Sequence, residues 1–404
     1  MNALSMTGTF SKAPRAWGFE DDIRVVQGDN QFVVLSDGKR YLDWVCGLGS
    51  NLLGYSNVEY GKRVAQQVLL GAGFSLPHYL EDIVAEKLVN ILATRVPGWN
   101  YDDFSVRFAK TGSDAASIAV RLARAVTGRR VIWHCGYSGW GVEFMAAVSP
   151  AHGIPVDYKR VVETFNFNDE GSVLKLRDHG DLAAIVIEQG IENPHPEWYA
   201  LLRKIANDTG ALLIIDEVVT GLRFDLGGAC EVMNIWPDIV IMGKALGNGL
   251  PISAVVGRTE YMDWFKRDDP VFCSSTHWGE AVSLSAANAV LDIFTDKSAK
   301  ELWRIGNGLM TGLNQAGWKT KGHGPRSVLF FDDDYERAFF IHGMRAKGIL
   351  MNRPNFVNAA HTMDDVRNTV DAAALVKEEW EHCDKVAVRK ALENKLPHIL
   401  FKNR

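Results

Sequence analysis

The sequence predicts an α/β fold built on a mostly parallel sheet with helices on both of its faces. Short apolar runs rich in Ile, Val and Leu recur through the middle of the chain: VIWHC (131–135), LAAIVIE (182–188), ALLIIDE (211–217) and DIVIMGK (238–244). They lack the period-2 alternation of a half-exposed strand, which is how strands buried on both faces look. Helical stretches lie between several of them, as with WYALLRKIANDTG (198–210). Strand–helix–strand alternation implies parallel pairing.

The elements before this core follow from local patterns. Residues 31–45, QFVVLSDGKRYLDWV, place two apolar-rich runs around Asp37-Gly38 and predict a β-hairpin. Apolar residues recur at helical spacing over 80–93 and 113–126, with Ala116, Ala119, Val120, Ala123 and Val126 marking one face of the second. A chain of 404 residues is long enough for two to three domains. Neither a low-complexity linker nor a fixed-period repeat separates them, so they are expected to interleave.

Composition narrows the function classes. A net charge of −5 gives no global attraction to nucleic acid or an anionic membrane. Lys385, Arg389, Lys390, Lys395, Lys402 and Arg404 stand against Glu393 near the C-terminus and read as a solvated helix and tail. The five cysteines (Cys46, Cys135, Cys230, Cys273 and Cys383) form no CxxC pair and no metal-ligand spacing, so free thiols and no metal site are expected. The first residues, MNALSMTGTFSKAPRAWG, lack a signal peptide's apolar segment, and no apolar run reaches membrane-spanning length. The expectation is a soluble, cytoplasmic protein.

In open α/β sheets ligands bind beyond the carboxyl ends of the strands. Two runs end there in charge, Asp216-Glu217 and Lys244. Lys244 lies in GKALGNGLP among three glycines, and a desolvated lysine loses its charge readily enough for Schiff-base chemistry. Thr111-Gly112-Ser113 opens an amphipathic helix, where backbone N–H groups, hydroxyls and the helix dipole suit a phosphate. Ser113 or Asp114 as a plain N-cap is the alternative. Tyr137, just past 131–135, stands where it could cover a planar ring, or simply pack. Pyridoxal phosphate (PLP) requires all of these: a lysine for its aldehyde, an anion beside its pyridine nitrogen, a donor cup for its phosphate and apolar cover for its ring.

These blocks resemble the fold-type-I PLP enzymes of class III, most closely the branch similar to glutamate-1-semialdehyde aminomutase. GFSLPH (73–78), FAKTGSDAASIAVRLARAVTGR (108–129), CGYSGW (135–140), LLIIDEVVTGLRF (212–224), PDIVIMGKALGNGLPISAVVG (237–257) and AAHT (359–362) carry the resemblance. It implies a large PLP-binding domain over 53–290 and a smaller α+β domain made from both chain ends, 1–52 and 291–404. It further implies that Lys244 carries the cofactor as a Schiff base and that Asp216 pairs with the pyridinium nitrogen. Val218 and Tyr137 would cover the two ring faces, and Gly112 and Ser113 would bind the phosphate. Thr276 would reach the phosphate of a neighbouring subunit, making a homodimer with shared sites. Glu188 and Asn193 match polar residues near cofactor or substrate.

The pattern departs from the family at Ser138, where histidine is common, and at Glu188-Gln189, where Glu-Pro is usual. NRPNFVN (352–358) is shorter than the aminomutase's matching loop and carries no acid. Arg15 and Arg353 are the two candidates for a substrate carboxylate. The expected activity is amino-group transfer between a small amine or amino acid and a carbonyl acceptor, either as an aminotransferase or as an intramolecular aminomutase. A PLP-dependent decarboxylase, racemase or epimerase is the enzymatic alternative. A PLP-binding regulator or nucleic-acid-associated protein is a third, opposed by the acidic balance and by the lack of an appended helix-turn-helix.

Overall fold

A computed structural model describes residues 12–17, 19, 23–148 and 152–393. They fall into two compact units, one drawn from Met1–Asn57 with Lys300–Arg404, the other being Val58–Ala299.

The Val58–Ala299 unit is organised by a seven-stranded sheet. Its strands, in spatial order, are Phe104–Ala109, Ser253–Arg258, Ile239–Met242, Leu212–Glu217, Leu182–Glu188, Val131–Cys135 and Val162–Thr164. Every pair from Ile239–Met242 to Val162–Thr164 is parallel. Ser253–Arg258 runs antiparallel to both of its neighbours. The fold is therefore α/β with a mixed, mostly parallel sheet. Burial explains the unalternating sequence of the central strands: all of Leu182–Glu188, Leu212–Glu217 and Ile239–Met242 is buried, whichever face a residue points to. Ile185, Ile187, Ile214, Ile215 and Ile241 have no accessible surface, and each such side chain contributes roughly 1.5–3 kcal/mol by leaving water.

Helix Gly112–Thr127 lays Ala115, Ala116, Ala119, Leu122 and Ala123 into this core. Its small residues let the helix approach the sheet closely. Thr111 caps it with a reciprocal pair of bonds: Asp114 N donates to Thr111 Oγ1 at 3.1 Å, and Thr111 N donates to Asp114 Oδ2 at 2.9 Å. Such a capping box satisfies two otherwise orphaned N–H groups and fixes where the helix starts.

The described residues of the second unit form two small sheets. Val25–Asp29, Phe32–Leu35 and Arg40–Asp43 form an antiparallel meander containing the expected hairpin, and Ile349–Leu350 joins its edge in parallel. Lys319–His323, Arg326–Phe330 and Pro354–Phe356 make a three-stranded antiparallel sheet. Trp44 ties the two ends of the chain together. Its ring stacks on His361 at 4.1 Å, and its Nε1 donates to Thr369 Oγ1 at 2.9 Å.

All five cysteines are free thiols. Among the described residues no helix is long and apolar enough to cross a membrane, and no His, Cys, Asp and Glu cluster could hold a metal ion.

Candidate active site

Parallel pairing brings the carboxyl ends of Val131–Cys135, Leu182–Glu188, Leu212–Glu217 and Ile239–Met242 to one edge of the sheet. Glu188 lies opposite Asp216, and Asp216 opposite Ile241. The residues that follow these strands, Gly136–Trp140, Gln189, Val218 and Lys244, therefore gather at that edge.

The run 238–244, read from the sequence as reaching Lys244, stops as a strand at Met242. Gly243 is extended and Lys244 opens a 3₁₀ turn, Lys244–Gly247. Lys244 has φ 41°, in the left-handed region that a β-carbon disfavours. Such a conformation costs of order 1–3 kcal/mol and persists where the surroundings demand it. Here it takes the lysine out of the hydrogen-bonded ladder and over the strand ends.

Asp216 is buried, and the N–H of Val218 donates to its Oδ1 at 2.9 Å. Burial, with the charge of Glu188 adding to it, pushes the Asp216 carboxyl up to about 7, against the opposing pull of the Val218 N–H and of Lys244. Glu188 is also buried, and its Oε2 accepts the backbone N–H of Tyr137 at 2.8 Å. Cys135, one residue before that turn, is inert as a nucleophile, because burial and then Glu188 push its thiol up to about 12.

The start of helix Gly112–Thr127 forms a cradle. A β-carbon at position 112 would stand 2.8 Å from both methyls of Val218, so glycine is what lets the helix start and the post-strand turn meet. The Ser113 hydroxyl accepts the N–H of Trp140 at 3.3 Å. Two supports had no signature in the sequence. Ser253 Oγ donates to the carbonyl of Thr111 at 2.7 Å, holding the cap from the antiparallel strand. Lys110 Nζ bonds Glu280 Oε1 at 2.6 Å and Ser283 Oγ at 3.1 Å, anchoring the approach to the same cap.

The remaining sequence candidates are placed as follows. Tyr137 is exposed at the strand-end edge, and Val218 lies against Gly112 and Gly243. Asn193 is exposed, and its carbonyl accepts Asn168 Nδ2 at 2.8 Å. Thr276 is exposed in a turn of the Val58–Ala299 unit. Arg15 and Arg353 belong to the other unit. The Arg15 side chain lies outside the described residues. The Arg353 guanidinium is 5.8 Å from the centre of the Phe330 ring.

A strand-end lysine facing a buried aspartate, with a glycine-and-serine helix start beside them, is the arrangement of a PLP-dependent transferase of fold type I. Residues 19–354 match the class-III aminotransferase family, and the chain belongs to it. A glutamate-1-semialdehyde 2,1-aminomutase of Methanosphaera stadtmanae is 30% identical over 378 residues, covering 83% of this chain and 87% of that one. The enzyme of the same name from Thermomicrobium roseum is 30% identical over 407 residues, covering 90% and 92%. A solved transaminase with PLP bound superposes with a TM-score of 0.80 at 26% identity, covering 88% of this chain and 91% of its own. The protein is thus a PLP-dependent enzyme of amino-group transfer. The residues present fit that cofactor chemically: the Asp216 carboxyl, pushed up by burial, would be stabilised as a carboxylate by a cationic N–H, and the Gly112 helix start has backbone N–H groups that could meet an anion.

Proposed function

We propose that this enzyme moves an amino group between a small amine or amino acid and a carbonyl acceptor, with Lys244 as covalent anchor and proton carrier. The observation that carries this reading is the placement of Lys244 beyond Ile239–Met242 beside Leu212–Glu217, where its charge acts on buried Asp216. When bound, PLP supplies an aldehyde that captures the amine and a ring that takes up the electron pair released at the substrate carbon.

Around that chemistry each side chain has a task. Lys244 Nζ would anchor the cofactor through its aldehyde and, as a free amine, would move a proton at the substrate carbon. Asp216 would hold a proton on the pyridine nitrogen, which would strengthen the ring as an electron acceptor. Val218 and Tyr137 would cover the ring, while Gly112 and Ser113 would hold the phosphate with the N–H groups of the helix start. The same residues serve an aminotransferase or an intramolecular mutase, depending on whether donor and acceptor are one molecule.

Assembly is part of this reading. Thr276, exposed in its turn, supplies a hydroxyl to the phosphate of a partner subunit, so the working unit is a homodimer with shared sites. The five free thiols accord with a cytoplasmic location.

Borohydride reduction followed by peptide mapping tests the anchor. The phosphopyridoxyl group is expected on Lys244, and Lys244→Ala is expected to abolish turnover while the protein still folds and retains some PLP through the phosphate cup. An adduct on another lysine would overturn the assignment.

A further inference from the structure

We infer that Glu188 is a positioning residue: through the Tyr137 main chain it fixes the turn that holds the Tyr137 ring over the cofactor. The inference rests on the reading of Tyr137 as a ring cover, and assigns Glu188 a task other than contact with substrate.

The geometry is specific to this turn. Glu188 ends its strand buried, opposite Asp216 in the parallel ladder. Its Oε2 reaches across to the Tyr137 N–H at 2.8 Å, 51 residues away in sequence. The chain bends towards it at Gly136, where φ is +96°. A β-carbon there would lie 2.6 Å from Glu188 Cβ and 3.0 Å from Glu188 Oε2. Glycine is needed at 136 on both grounds, conformation and space. The Ser113 hydroxyl fastens the far side of the same turn through Trp140 N at 3.3 Å. Tyr137 thus sits on a short segment pinned at both ends, one pin from the phosphate cup and one from the strand beside Asp216. A charge-assisted hydrogen bond donated by a main-chain N–H to a buried carboxylate is among the stronger ones available to a side chain.

A glutamine at 188 keeps a carbonyl oxygen for the Tyr137 N–H but removes the charge, whereas alanine removes both. Comparing the two therefore isolates the clamp from any electrostatic effect on Asp216. In the PLP-loaded protein, Glu188→Gln is expected to bind PLP within about threefold of wild type, and Glu188→Ala about tenfold more weakly than Glu188→Gln, the size of one such hydrogen bond. Hydrogen exchange at the Tyr137 amide should accelerate at least about tenfold in Glu188→Ala and stay near wild type in Glu188→Gln. In a Tyr137→Ala background, the further loss of PLP affinity from Gln to Ala at 188 should vanish, because the held segment no longer carries a ring. Should Glu188→Ala fail to fold, Gly136→Ala disturbs the same contact from the other side and is expected to reproduce its exchange and affinity defects.

Glutamine and alanine behaving alike in both measurements would overturn the inference. So would a Gln-to-Ala loss that persists without Tyr137. Tyr137→Ala binding PLP as tightly as wild type would instead remove the ring role of Tyr137. Exchange at residue 137 would then decide by itself whether Glu188 holds the turn.

Discussion

Asp216 and Glu217 are successive residues at one strand end, both buried, and they point to opposite faces of the sheet. On the Glu217 side the carboxylate is saturated. Its Oε2 accepts the Ala229 N–H at 2.9 Å and also the Thr220 hydroxyl, while Oε1 accepts the Cys230 N–H at 2.7 Å. On the Asp216 side one backbone N–H reaches the carboxylate, with a second buried acid, Glu188, opposite it in the ladder. Equal burial thus produces two different groups. Glu217 accepts hydrogen bonds from three groups of the fold, and Asp216 from one, the N–H of Val218.

The widest gap between the two faces is expected in the pH dependence of the cofactor-free protein. The Asp216 carboxyl is raised from 3.8 to about 7, by burial first and the Glu188 charge second, with Glu217 adding a little and the Val218 N–H and Lys244 opposing. A raised carboxyl pKa means that the folded state holds the proton more tightly than the unfolded state. Stability is then highest below about pH 4, falls between about pH 4 and pH 7, and is level above, by roughly 4 kcal/mol for a shift of this size. Other buried acids titrate as well, so the quantity to measure is wild type minus Asp216→Asn. That difference should slope downward with pH across this window in denaturant titrations. A flat difference would mean that the fold does not raise the Asp216 carboxyl.

Turnover should separate the faces next. Asp216→Asn is expected to lower kcat on the order of 10²-fold or more, since the lost charge acts mainly on the transition state, with a much smaller change in KM. An unchanged kcat would take Asp216 out of the chemistry and dissolve the contrast.

Much of this was legible in the sequence, and the illegible part has a physical pattern. The central strands announce themselves because burial on both faces demands unbroken Ile, Val and Leu. Asp216 and Lys244 stand out because charge at the end of such a run is chemically conspicuous. Val162–Thr164 is too short to carry a pattern, and nothing local to Ser253–Arg258 encodes that it runs antiparallel. The supports of the site were hidden for a different reason. Glu188 bonds the main chain of Tyr137, Ser253 bonds the main chain of Thr111, and Glu217 bonds main-chain N–H groups at 229 and 230. A backbone donor or acceptor has no residue type, so these pairings leave no signature until the chain is folded.

Glu217→Gln sharpens the comparison from the structural side and should give the smallest of these effects. The amide keeps one acceptor oxygen but turns an NH₂ group towards donors that Glu217 now satisfies. In one orientation the amide nitrogen meets the Cys230 N–H; in the other it meets the Ala229 N–H and the Thr220 hydroxyl. Only the hydroxyl can rotate to become an acceptor, so either choice leaves at least one buried N–H unpaired, at about 1–3 kcal/mol. Removing a charge from a buried position offsets part of that loss. The net expectation is a destabilisation of about 1–2 kcal/mol in denaturant unfolding, with kcat per folded molecule and PLP affinity within about threefold of wild type. A large fall in kcat at unchanged stability would place Glu217 in the reaction and remove the distinction between the two faces of the strand end.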